Sequence, residues 1–449
     1  MCRLFPLHWL CCAILIAPAL LHASHPEFSL HRLHSAKPGP TVLIIGGIQG
    51  DEPGGFHAAT LLVTHAKLQN GELWVVPNLN FASILHSARG LHGDLNRKFY
   101  AVSPHDPDYH AVKQIQELIT SPAVDIVINM HDGSGFYRPN YQDSQHNPHR
   151  WGQAMIIDQQ QLANSRWGAL EELATRTLAQ VNQQLLHPNH RLHLKNTRTR
   201  DGDIEMEKSL TYFAIRHHKP ALALEASKTL STAERVYYHL QMLSHYLREI
   251  GMDLHLPFSL TTTAIEQALN PPLQLTLPDR LQLPLENIRS QLNYFPLPTH
   301  TLPTWQSNNP LLAVVNRGDS WQINYGNRRL TQLKPQFFDY SQRPVTLQLE
   351  IDGRPTSALT GTEVVVEQQL KISAPSPYRI NFIGWQQPGI DNEVEIPILY
   401  EQIDHRFSLD RDGKLFRLEV YHQEAFSGMV TVRFDPTLTL SQRTEENPE

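Results

Sequence analysis

The chain has 449 residues, 41% hydrophobic and 18% charged, enough for two or three domains and ordinary for a folded globular protein. A net charge of −6 without charge blocks argues against nucleic-acid binding, which calls for a basic footprint. Histidine is so frequent, at 25 residues, that an isolated His carries no weight as a site residue.

The first 23 residues read as a cleavable signal peptide. Arg3 is the one charge before an apolar run at 10–21, and Ala17, Ala19 and Ala23 are small enough for a cleavage site. Cleavage after Ala23, or after Ala19, leaves an exported, periplasmic protein. The apolar run is too short to span a bilayer, and no later stretch is long enough, so no membrane span is expected in the mature form. Cys2, Cys11 and Cys12 all fall in this segment. Any metal in the remainder must therefore be held by His, carboxylate or amide oxygen.

From residue 24 to 256 strand and helix patterns alternate. Continuous aliphatic runs at 42–45, 73–76, 126–128 and 221–224 predict strands buried on both faces of a sheet. Between 231 and 250 the residues Val236, Leu240, Leu243, Leu247 and Ile250 recur at helical spacing. Ser231 and Glu234 have capping-box spacing, and Gly251 stands where a helix would stop. The expected class is α/β, a mixed or parallel sheet flanked by helices. After residue 256 prolines crowd in and short alternating strands take over, such as Trp321, Ile323 and Tyr325 before Gly326-Asn327, or Leu347, Leu349 and Ile351 before Asp352-Gly353. Phe407 and Leu409 before Asp412-Gly413 read the same way. Two small all-β domains are expected, at 257–343 and 344–440, barrel-like or sandwich-like, with a disordered tail at 441–449.

Four short words carry chemistry. Gln49-Gly50-Asp51-Glu52 follows the strand at 42–45, where open α/β sheets place their sites. Glu52 suits a metal, and Gln49 offers a neutral amide oxygen, a weaker donor than imidazole. His131, in Asn129-Met130-His131-Asp132-Gly133, would complete three ligands and leave a fourth position open, the pattern of catalytic zinc. Asp94-Leu95-Asn96-Arg97 supplies a guanidinium able to clamp a carboxylate. Arg89 nearby could stabilise an oxyanion, or simply form a surface ion pair. Glu225, in Leu224-Glu225-Ala226-Ser227, could serve as general base, or only pair with Lys228.

In that order the words resemble the zinc carboxypeptidase family, over roughly 42–250. With Gln in the position of the usual first His, and with Asp94-Leu-Asn-Arg-Lys-Phe and His131-Asp-Gly-Ser-Gly-Phe-Tyr, the chain looks most similar to the murein tripeptide carboxypeptidases that set helical cell shape. The resemblance implies a carboxypeptidase-like sheet followed by two β-rich domains, the last immunoglobulin-like. It implies one zinc ion per chain on Gln49, Glu52 and His131, Glu225 as base, and Arg89 polarising the scissile carbonyl. Arg97 with Asn96 would hold the substrate carboxylate, and Trp151 and Thr211 would line the cleft. The implied substrate is murein tripeptide, cut to a dipeptide with release of the terminal diamino acid. Two other readings stand beside it: an N-acyl amino acid deacylase, and a non-catalytic wall-binding scaffold. Whether the β domains engage cell-wall or cell-shape proteins is open in the sequence.

Overall fold

A computed structural model of the chain describes residues 28–278, 280–299, 303–341, 344–374 and 377–435. The expected signal segment with its cysteines, and the expected tail at 441–449, lie outside the described residues.

The aliphatic runs become the centre of a seven-stranded mixed sheet. In chain order its strands are β1 (His31–His34), β2 (Thr41–Ile45), β3 (Glu72–Val76), β4 (Ile126–Gly133), β5 (Ala154–Ile157), β6 (His193–Asn196) and β7 (Ala221–Ser227). Across the sheet they stand β1-β3-β2-β4-β7-β5-β6. The inner strands β3, β2, β4 and β7 run parallel, β1 pairs antiparallel to β3, and β5 pairs antiparallel to β7 and parallel to β6. Every residue of β2, β4 and β7 is buried, as a strand covered by helices on both faces requires. The central strands run past their aliphatic cores, so that His131 and Glu225 lie inside β4 and β7 rather than just beyond them. Parallel pairing continues residue for residue to Ser227 opposite Gly133, which keeps the polar ends of both strands hydrogen-bonded.

The helices used below are α1 (Pro53–His65), α2 (Leu210–Arg216), α3 (Thr232–Glu249) and α4 (Thr262–Ala268). The capping box at the start of α3 is complete: the Ser231 hydroxyl accepts from Glu234 N–H, and the Glu234 carboxylate accepts from Ser231 N–H. Gly251 ends it with φ +81, a conformation that suits a residue without Cβ. Helix α4 lies where the first β domain was expected to open. Its Ile265 is fully buried in the α/β core, so that packing extends past residue 256.

Beyond α4 the described residues build β-sheets, with two short 3-10 turns between strands. A three-stranded and a four-stranded sheet enclose Leu281, Leu283, Phe295, Ile323 and Leu333. Two further four-stranded sheets stack over Leu347, Phe382, Phe416 and Val432, a sandwich of the immunoglobulin-like kind. The cores are continuous rather than isolated. Phe56 and Ile84 of the α/β part, and Tyr421, Phe426 and Met429 of the sandwich, share one apolar cluster with Leu281 and Phe295. Phe407 is not in a strand: His405–Phe407 form a 3-10 turn in which the Asp404 carboxylate accepts from Arg406 N–H. The alternation of Phe407 and Leu409 is matched there by a tight turn and not by sheet pairing.

One buried carboxylate holds the sheet to its helices. Successive residues of a strand face opposite sides, so Asp132 points away from the side that His131 faces. It accepts a hydrogen bond from Gly54 N–H in the first turn of α1 at 2.8 Å, and stands 3.2 Å from Arg235 and 3.1 Å from His239 of α3. Asp132→Ala should lower unfolding free energy by about 3–5 kcal/mol, the usual loss when one partner of a buried charged network is removed. Urea denaturation measures it, and a change below about 1 kcal/mol would mean the network does not staple the layers.

Candidate active site

Two strands and one turn converge on the site. The β4–β7 register sets Glu225 directly beside His131. The turn 49–52 leaves β2 and enters α1, with Glu52 at the N-cap and Pro53 in the first turn. Gly50 permits the turn's close approach to the neighbouring chain: a Cβ there would sit 2.1 Å from the Ser83 carbonyl carbon. The Glu52 side chain makes no capping bond to α1. Instead its Oε2 lies 2.9 Å from His131 Nδ1 and accepts from Asp132 N–H at 3.1 Å.

Around this pair the polar groups are tied in sequence. The Gln49 amide nitrogen donates to Asp94 Oδ1 at 2.7 Å, and Arg89 donates to Asp94 Oδ2 at 2.9 Å. Those two bonds hold the Asp94 carboxyl below its ordinary range although burial pushes it up. Asn129, two residues before His131 on the same strand face, sets its side-chain amide 2.8 Å from His131 Nε2. Asn96 stands 3.4 Å from the same nitrogen, and its oxygen accepts from Leu210 N–H at the start of α2. Burial acts to lower the His131 pKa, but the hydrogen bond and charge of Glu52 raise it above the usual imidazole value. Glu225 is fully enclosed: burial pushes its carboxyl up to about 8 against the pull of the His131 charge.

All nine candidate residues, Gln49, Glu52, Arg89, Asn96, Arg97, His131, Trp151, Thr211 and Glu225, line one cavity of about 220 Å³. Arg89 is half exposed at 51% and also pairs with Glu52 at 3.6 Å, so it is both a rim ion pair and a wall of the cavity. Arg97 donates to the Asn96 carbonyl and stands 3.7 Å from Glu205, which leaves most of its guanidinium donors free. Trp151 packs under Lys195 Nζ, 3.8 Å from its ring centre. The simple pairing of Glu225 with Lys228 is not what forms. Lys228 bonds Asp51 at 2.6 Å and approaches Glu52 at 3.3 Å, and Glu225 Oε2 has no hydrogen-bond partner. Asp94, Asn129 and Asp132 stood in the sequence words without a role of their own, and Lys228 only as a possible partner of Glu225. The strand period could have found Asn129, which must share the face of His131.

The donor set fits a divalent metal. Ligand atoms about 2.0–2.1 Å from one tetrahedral ion stand about 3.3 Å apart, and Glu52 Oε2 and His131 Nδ1, at 2.9 Å, need only a small opening. With its nitrogen engaged by Asp94, Gln49 has its oxygen left as the donor atom. The buried Asn129 Oδ1 lacks a partner. Turning that amide oxygen toward Nε2–H would fix the tautomer that frees Nδ1, as second-sphere partners of metal-bound His commonly do. Among the described residues no cluster of three or more His, Cys, Asp or Glu side chains is arranged for a metal.

The family model for "carboxypeptidase controlling helical cell shape catalytic" matches residues 1–270. Models for the β-barrel domain of the same carboxypeptidase and for the C-terminal domain of metallo-carboxypeptidase match 272–339 and 340–435. Among solved structures, the chain is similar to apo cell shape determinant protein Csd4 from Helicobacter pylori, at 36% identity and a TM-score of 0.86, covering 91% of this chain and 100% of that one. The tripeptide-bound form of Csd4 matches at 37% identity and a TM-score of 0.86 over 91% of this chain and 100% of that one. The mDAP-bound form of Csd4, a D,L-carboxypeptidase, matches at 37% identity and a TM-score of 0.86 over 90% of this chain and 100% of that one. No curated protein matches. The chain belongs to the family of metallo-carboxypeptidases that control helical cell shape.

Proposed function

We propose that this chain is a periplasmic, zinc-dependent D,L-carboxypeptidase that removes the terminal diamino acid from murein tripeptide and leaves a dipeptide, thereby influencing cell shape. The observation that carries the reading is the cavity itself: a carboxylate with an unpartnered oxygen at Glu225, a metal-suited trio, and two guanidinium groups line the same small space. A scaffold has no use for that combination, and family membership favours a peptidase over a deacylase. The tripeptide and mDAP bound to Csd4 support the choice of substrate.

In this reading Gln49, Glu52 and His131 hold one zinc ion. When bound, the ion supplies Lewis-acid polarisation and lowers the pKa of water. Arg97 pairs with the carboxylate of the departing residue, using the donors left free beside the Asn96 carbonyl. Asn96, anchored on Leu210 N–H, fixes the position of that guanidinium. Arg89 sits on the rim, where its charge can favour negative charge developing on the scissile carbonyl oxygen. Glu225 takes a proton from the attacking water on its unpartnered carboxylate oxygen and returns it to the leaving amine. Trp151 and Thr211 wall the cleft beside the substrate.

Export is part of the reading. Among the described residues no helix is long and apolar enough to cross a membrane, and the N-terminal 23 residues have signal-peptide character. Protein recovered from the periplasm should begin near Ser24. A full-length cytosolic protein starting at Met1 would contradict it.

The ligand assignment predicts metal content. Wild type should carry one zinc per chain by elemental analysis, Gln49→His should hold it at least as tightly, because imidazole is the commoner zinc donor, and His131→Ala should lose it. A fully loaded His131→Ala protein would mean the ligands lie elsewhere.

The catalytic roles are separable by kinetics. Glu225→Gln should keep fold and zinc content yet slow release of the diamino acid from murein tripeptide by at least about a hundredfold. Arg97→Ala should instead raise KM, and amidating the substrate's terminal carboxylate should erase most of the difference from wild type. Wild-type turnover in Glu225→Gln would remove Glu225 from the mechanism.

A further inference from the structure

The turn that carries Gln49 leans on a residue that belongs to the core of another domain. Gly50 lies against the peptide joining Ser83 to Ile84, whose carbonyl carbon and amide nitrogen an added Cβ would meet at 2.1 and 2.3 Å. Gly47, two residues before Gln49, is covered by Ile84 Cδ1, which would stand 2.7 Å from such an atom. Just ahead of the turn, Leu79 N–H and Asn80 N–H donate to the Gly46 and Gly47 carbonyls at 3.1 and 2.8 Å.

Ile84 itself sits in the short helix Phe81–Leu85 of the α/β part and is fully buried. Its side chain shares the apolar cluster of the barrel domain with Phe295, Ile323 and Tyr325. Polar and aromatic contacts bring the same domain onto the same place. The Asn327 amide, at the tip of a barrel hairpin, donates to the Ser87 hydroxyl, and the Asn78 amide donates to the Pro310 carbonyl at 2.9 Å. The Tyr325 ring lies 5.9 Å from the His57 ring of α1.

The three metal-suited side chains do not depend on this seat equally. His131 is part of β4, and Glu52 is fastened to that strand through Asp132 N–H. Gln49 is a long side chain whose rotamers cost entropy to fix. Its far end is held by Asp94, and its near end by where the turn lies.

We propose that Ile84 is a positioning residue for the metal centre. Wedged between the turn and the barrel core, it holds the Gln49 backbone where the amide oxygen can meet the ion, and the barrel domain serves as its backstop. The inference rests on Gln49 being a ligand, as in the reading above.

Zinc affinity of the full chain, measured by competition with a colorimetric chelator, tests it in a double-mutant cycle. Gln49→Ala alone should weaken zinc binding, which checks the ligand assignment by itself. Ile84→Ala should weaken zinc by about ten- to a hundredfold while Gln49 is present, the usual cost of losing a partner that orients a ligand. In Gln49→Ala, where no amide is left to position, the same change should cost less than about twofold. Ile84→Val removes only the methyl over Gly47 and guards against a folding defect. It should act in the same direction by about two- to threefold. Asn327→Ala should weaken zinc by about two- to fivefold, through loss of one hydrogen bond that seats the hairpin.

Equal losses with and without Gln49 would make Ile84 a general structural residue and overturn the proposal, as would unchanged affinity in both Ile84 variants. Unchanged affinity in Asn327→Ala would overturn the part assigned to the barrel domain. If Gln49→Ala binds zinc as wild type does, the ligand reading fails and the proposal falls with it.

Discussion

The parallel pairing of β4 with β7 is the constraint on which the site depends. It places Glu225 opposite His131 without any contribution from a loop. Both residues then sit on fully buried strands at the centre of the sheet, where rotamers and positions are fixed by packing. Placing reactive groups on rigid elements is what allows a site to be held to fractions of an ångström. The turn 49–52 lies outside the strands, and it is fastened at both ends. Glu52 is bonded to His131 and to Asp132 N–H, and Gln49 to Asp94.

Charge explains why the cluster tolerates so many carboxylates. Asp51, Glu52, Asp94, Asp132 and Glu225 lie close together, and each of the first four has a cationic partner: Lys228 for Asp51 and Glu52, Arg89 for Asp94, Arg235 for Asp132. Glu225 has none within hydrogen-bond range, and burial, joined by the charges of Glu52 and Asp132, pushes its carboxyl up. A group in that position gains most from a cation entering beside it, and is suited to exchanging a proton during a reaction. The substitution of an amide for the usual imidazole fits the same pattern. Asp94 fixes the Gln49 nitrogen, so a neutral oxygen donor can be oriented by a neighbour in place of a stiffer ring.

Much of this was legible in the chain. Aliphatic runs marked the central strands because strands buried on both faces need no alternation, and the Ser231–Glu234 spacing marked a helix start that the structure reproduces in both bonds. The words around Gln49, Asn96, His131 and Glu225 pointed to one place because the carboxyl ends of parallel strands gather there. Other features were hidden for physical reasons. Asp132 reads as part of the His131 word, yet the strand period turns it to the opposite face and into α1 and α3. The partners of Lys228 are far away in sequence and close only after folding. Helix α4 is short, and its one fully buried residue, Ile265, gives no periodic signal. The turn at His405–Phe407 is set by the Asp404 cap, which outweighs a brief alternation.

The central claim is that the metal is held by one imidazole and two oxygen side chains, with Gln49 taking a place that His usually fills. Zinc K-edge X-ray absorption on the loaded full-length protein reads the ligand shell directly. One imidazole among otherwise oxygen scatterers, shifting to two imidazoles in Gln49→His, is the predicted result. Two or more imidazoles in the wild type, or a spectrum unchanged by Gln49→His, would contradict it.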